Sequence, residues 1–80
     1  MITAEQMRAA RALLKWSAQK LADHSGVNWR TIQRLESGVG IPASRTKNLI
    51  KIRQVLEDAG VVFIDQKEES GPGVRLRDPI

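Results

Sequence analysis

If residues 28–37 coil into a helix, Trp29, Arg30, Gln33 and Arg34 share one side of it, and Ile32 and Leu35 share the other. The first four side chains are suited to reading flat polar edges. A guanidinium forks onto guanine O6 and N7, and a Gln amide onto adenine N6 and N7. An indole can lie on a thymine methyl or a sugar edge. A solvated helix usually shows Lys and Glu to water, so a Trp-Arg-Gln-Arg face needs a reason. It is the face a helix needs to enter a DNA major groove. The plainer alternatives stay open: Arg30 and Gln33 as solvated helix residues, and Trp29 packed against the preceding helix.

Other chemistry is poorly provided for. The chain has no cysteine, which removes disulfides and thiolate metal sites and fits a reducing compartment. His24 is the only histidine and has no neighbouring ligand residues in sequence, so it reads as a helix-end surface residue. Catalysis needs a nucleophile beside a base, paired carboxylates or a metal cluster, and none is legible. No enzyme activity, cofactor or metal is expected. Gly71-Pro72-Gly73 lacks the Lys-Ser/Thr that would make it a phosphate-binding loop.

The net charge is +4, with a pI of about 10.1. Residues 1–60 carry ten Lys/Arg against five Asp/Glu, and residues 61–80 carry three against four. The basic part is the part with the Trp-Arg-Gln-Arg stripe, which favours a polyanionic partner. No apolar run approaches the roughly 20 residues that span a bilayer, and no signal peptide opens the chain. The expectation is a soluble cytoplasmic protein, nucleoid-associated when bound to DNA.

Eighty residues make one small core. Thr3-Ala4-Glu5-Gln6 reads as a capping box opening a first helix. Met7, Ala10, Arg11 and Leu14 form its stripe, and Trp16 closes its end against the core. Ser17 caps a second helix running to about His24, and Gly26 supplies a turn with positive φ. Asn28 caps a third helix ending near Ser37, with Gly38 as the residue after its cap. A fourth helix spans roughly Ser44 to Ala59 with Leu49, Ile52, Leu56 and Ala59 inward, and Gly60 stops it. Val61–Ile64 and Val74–Arg77 read as strands around a turn cluster at Ser70–Gly73. The domain plan is thus 1–60 for the helical part and 61–80 for a C-terminal β extension.

The helical pattern resembles the phage-repressor/Cro helix-turn-helix family, also called the XRE family. Arg11, Trp16-Ser17, Leu21-Ala22, Gly26-Val27, Ile32, Glu36-Ser37-Gly38 and Pro42 carry the likeness, over about residues 4–59. The spacing from Leu21 through Gly26, Ile32 and Glu36 to Gly38 holds without a gap. The resemblance implies a mainly α, compact, lambda-repressor-like domain of four (about four to five) helices with a short C-terminal β-hairpin. It implies a sequence-specific double-stranded DNA-binding transcriptional regulator, a repressor, with the helix from Asn28 as the recognition helix. Trp29, Arg30, Gln33 and Arg34 would then face bases, with Arg34 favoured as a clamp on the DNA backbone. Ser17, Gln19, Asn28, Thr31, Arg45 and Lys47 would contact phosphates, while Lys51 and Arg53 would form a solvated face. Arg11 and Glu36 would meet as a structural ion pair that fixes the angle of the recognition helix; otherwise they are unrelated surface charges. Two positions depart from the family. Relatives often place a bracing Gln where this chain has Ala18, leaving Ser17 or Gln19 to supply the brace. Trp29 stands where a polar residue is commoner.

One recognition helix reads too few base pairs to find a genomic site, and related repressors act as two-fold dimers on spaced half-sites. Val62, Ile64, Val74 and Leu76 are the expected dimerisation surface, since a two-stranded hairpin is marginal alone. A hairpin folded back onto the fourth helix is the alternative. The rival function is a protein-binding helix-turn-helix module, such as an antitoxin or antiactivator, gripping a protein partner.

Overall fold

The computed structural model describes residues 2–79. Four helices and a hairpin follow in order: α1 (Ala4–Leu14), α2 (Ala18–Ser25), α3 (Trp29–Glu36), α4 (Thr46–Asp58), β1 (Val61–Ile64) and β2 (Gly73–Leu76). This is a mainly α helix-turn-helix fold with a two-stranded antiparallel sheet after it.

Local signals in the sequence set most boundaries. The Thr3 hydroxyl accepts from the Gln6 N–H at 3.0 Å, and the Gln6 side chain accepts from the Thr3 N–H at 2.9 Å, completing the capping box. Ser17 Oγ accepts from the Lys20 N–H at 3.0 Å to open α2, and Gly26, at φ 72°, closes it. Asn28 Oδ1 accepts from the Arg30 N–H at 2.8 Å to open α3. α1 ends on Lys15 at φ 57°, a left-handed residue with no glycine to mark it.

Four boundaries differ from expectation, the simplest being β2, which runs Gly73–Leu76 rather than Val74–Arg77. Gly38 follows the cap of α3 but is not left-handed; Gly40, at φ 73°, makes that turn further along the loop. α4 begins at Thr46 rather than Ser44, with Arg45 as N-cap and no side-chain cap bond. The hairpin reverses at Glu68–Glu69, where Lys67 and Ser70 pair (N···O 2.8 and 3.3 Å), not at Ser70–Gly73. Gly71 and Pro72 sit in the returning arm, where a proline cannot donate to the ladder and so interrupts it.

The core joins helices and hairpin. Met7 and Ala10 of α1, Leu21 of α2, Ile32 and Leu35 of α3, and Leu49, Ile52 and Leu56 of α4 are buried together with Val61 and Phe63 of β1. Trp16 packs on the edge of this core and stacks on His24, ring centroids 4.7 Å apart, with the Lys20 ammonium 5.3 Å from the indole centroid. Arg53 is not simply solvated. It lies over the Phe63 ring at 5.1 Å and pairs with Glu57 (3.5 Å) and Asp65 (3.8 Å).

Strand register corrects the expected dimer surface. Val61 pairs with Leu76 and Phe63 with Val74, so these four residues share one face. That face is turned to the core, and Val74 and Leu76 pack against it. Val62 and Ile64 share the other face. The four residues expected on one surface therefore lie on opposite faces. The inner face is in use within the chain, because the hairpin folds against α1 and α4.

Candidate nucleic-acid interface

α3 turns Ile32, Leu35 and Glu36 inward and leaves Trp29, Arg30, Gln33 and Arg34 exposed. Trp29 is 40% exposed, a large share for an indole at the first turn of a helix. Arg30 and Gln33 have no side-chain hydrogen bonds among the described residues, so their donors and acceptors face solvent. Arg34 leans toward the following loop, with Nη1 donating to the Ala43 carbonyl at 3.3 Å. Thr31 is half-buried beside them.

The flanking elements add exposed positive charge. Between His24 and Leu56 the one acidic residue is Glu36, and Arg11 neutralises it. Arg30, Arg34, Arg45, Lys47 and Lys51 are all exposed along this stretch with no acidic neighbour in sequence. An excess of exposed cations over acids in this stretch suits a phosphate backbone. Among the described residues no group of three or more His, Cys, Asp or Glu gathers that could hold a metal ion.

Two expected phosphate contacts are engaged within α2. Ser17 Oγ is committed to its cap, and Gln19 Nε2 donates to Asp23 Oδ1 at 2.8 Å on the same helix. Among the described residues neither reaches α3, so neither supplies the brace absent at Ala18.

α1 holds α3 instead. The Arg11 guanidinium meets Glu36 in a fork, Nε to Oε2 at 2.8 Å and Nη2 to Oε1 at 2.6 Å, while Nη1 donates to the Trp16 carbonyl at 2.9 Å. Glu36's side chain is only 7% exposed and Arg11's 23%. Hydrogen bonding to Glu36 raises the Arg11 pKa above its ordinary value, with the pair's Coulomb attraction adding and partial burial opposing. Arg8, one turn earlier, donates through Nη1 to the Glu36 carbonyl and to the Gly38 carbonyl at 3.2 Å. Glu5 Oε1 accepts from the Gly40 N–H at 2.9 Å, and the Ala4 N–H donates to the Gly40 carbonyl at 2.8 Å. Nothing in the sequence singles out Glu5 and Arg8 for this role. Their shared spacing with Arg11 along α1 was visible, but their partners are backbone atoms, which no residue type announces.

A family model described as helix-turn-helix matches residues 7–57, well over half of the chain. The chain belongs to the XRE-type helix-turn-helix family. The matched span runs from Met7 in α1 to Glu57 in α4 and so contains the whole α2–α3 pair. The protein is a DNA-binding helix-turn-helix regulator of this type. Comparison with curated proteins finds no match. Among the described residues no helix is long and apolar enough to cross a membrane.

Proposed function

We propose that this regulator is a sequence-specific repressor that reads the major groove of double-stranded DNA with α3 as a homodimer. The observation that carries the reading is the split of α3: Ile32 and Leu35 are at most 1% exposed while Arg30 and Gln33 are exposed on the same eight-residue helix. Trp29, Arg30 and Gln33 are the base-reading residues, with Arg34 at the edge toward the backbone. Arg45 and Lys47, where α4 begins, grip phosphates. Asn28 and Thr31 contact phosphate at the start of α3. Ser17 and Gln19 remain at the near end of α2 for the same role, Ser17 with its hydroxyl oxygen accepting the cap bond and Gln19 with its Nε2 donating to Asp23.

Residues 61–80 act as the dimerisation extension, through the outer hairpin face that carries Val62 and Ile64. Ile64 is 40% exposed, an apolar side chain a second copy would cover. Dimerisation would set the two α3 helices on half-sites about 34–36 Å apart.

Selection of bound duplexes from a random pool, repeated across a salt series, tests the reading. A defined motif with two related half-sites and affinity falling steeply with salt is expected. Recovery of no motif, with weak salt dependence, would favour the protein-binding alternative. The dimer is tested by sedimentation of wild type and Ile64→Lys. Wild type should sediment as a dimer and the variant as a monomer with most operator affinity lost. Wild type that stays monomeric at high micromolar concentration and binds its site as one copy would refute it.

A further inference from the structure

We infer that Arg8 is a positioning residue for the recognition helix, acting with Glu5 to fix the end of α3 and the loop after it. The inference rests on α3 being the reading helix. The C-terminal carbonyls of a helix lack intrahelical partners and carry partial negative charge. Arg8 supplies the missing donor to the last residue of α3, Glu36, and to Gly38 just beyond it. Glu5 takes the Gly40 N–H, and Ala4 N–H takes the Gly40 carbonyl. Successive turns of α1 therefore hold residues 36, 38 and 40 in order.

Ile32 and Leu35 seat one side of α3 in the core, and the Arg11–Glu36 pair holds its last residue through side-chain atoms alone, leaving the end of the α3 backbone and the loop after it without a direct tie. Arg8 lies about 4.5 Å from Arg11 along the axis of α1 and holds backbone rather than side chain, which supplies that tie. The need is local. Between Gly38 and Gly40, Val39 is 88% exposed, so no side chain of this three-residue stretch reaches the core. No side chain of α2 bonds to α3 among the described residues. The leverage is large. α3 is about 12 Å long, so a tilt of about 10° displaces its far end by about 2 Å. Base-edge hydrogen bonds tolerate only a few tenths of an ångström.

The test uses the full chain, the duplex that wild type selects and a random duplex. Arg8→Met should bind the selected duplex on the order of tenfold more weakly, as when α3 holds its reading geometry in about a tenth of the free molecules. Its affinity for random duplex and its salt slope should match wild type, measured well below its melting temperature. Arg8→Lys keeps the charge and a donor on a differently shaped side chain, and should show a smaller loss of specificity with the same slope. That variant decides the matter should Arg8→Met not fold. A salt slope reduced by about one, with both duplexes weakened alike, would make Arg8 a phosphate contact and overturn the inference. Lowered melting with unchanged specificity would also overturn it, since Arg8 would then be structural only. If wild type selects no duplex, the reading of α3 itself fails and the inference falls with it. Unchanged specificity in Arg8→Met, against a duplex that wild type does select, sinks the inference alone.

Discussion

Replacing Arg11 by Met should be the most damaging single change behind α3. The guanidinium gives two bonds to Glu36, at 2.8 and 2.6 Å, and one to the Trp16 carbonyl at 2.9 Å. Met fills similar volume but donates nothing. It leaves a carboxylate whose side chain is 7% exposed without its counter-charge. Breaking a fully buried pair costs about 3–5 kcal/mol. Arg11 itself is 23% exposed, so water reaches part of the gap and the expected cost falls to about 2–3 kcal/mol. At about 4–8 °C per kcal/mol for a domain of this size, thermal melting should drop by about 10–20 °C. The double variant Arg11→Met with Glu36→Leu removes the orphaned charge and should recover more than half of that loss. Circular dichroism melts of wild type, both single variants and the double variant read it out. If the double variant melts no higher than Arg11→Met, the orphaned carboxylate is not the cause of the loss. Equal melting of Arg11→Met and wild type would refute the pair's contribution outright.

Other outcomes follow from the same geometry. Arg30→Ala should cost about 1–3 kcal/mol on the selected operator and relax preference at one base position, whereas Lys47→Ala should weaken all duplexes alike and lower the salt slope by about one; an unchanged motif in Arg30→Ala would refute the register assigned to α3. Gln6 is 3% exposed, and its Nε2 donates to the Ile64 carbonyl at 3.1 Å and the Gly73 carbonyl at 3.0 Å. Gln6→Leu should therefore destabilise by about 2–4 kcal/mol, with the hairpin amides losing exchange protection first; retained protection would show that water replaces the amide. Glu5 has its pKa depressed by its own backbone N–H, the Gly40 N–H and the charge of Arg8. Stability from its charged form is present above the ordinary glutamate value of about 4.3 and is lost as pH falls through the depressed value. The melting gap between wild type and Glu5→Gln should accordingly close in acid, and a gap constant with pH would count against the Glu5–Gly40 bond.

The helical part was readable because its signals are local. Thr3 with Gln6, Ser17, Gly26 and Asn28 each act within four residues along the chain, and their donors and acceptors are side chains of recognisable type. The apolar period then assigns Ile32 and Leu35 to the inside of α3, which leaves Arg30 and Gln33 outside without any tertiary information. The hairpin was readable as two strands but not as to which face turns inward. Apolar residues fill both faces of β1, and the register with β2 is set by a turn at Glu68–Glu69 that carries no glycine or proline of its own.

The sequence by itself determined the helix-turn-helix, its charge and the outward stripe of α3, because periodicity and caps are properties of neighbouring residues. Only the tertiary structure decided which backbone contacts join the expected Arg11–Glu36 pair in holding α3, and what the hairpin's inner face does. Arg8 finds the carbonyls of Glu36 and Gly38, and Gln6 those of Ile64 and Gly73, across separations of 28 to 67 residues. A carbonyl oxygen is the same on every residue, so a side chain that bonds to one leaves no mark at the far position. The choice is made when the chain closes and each buried polar group must find a partner.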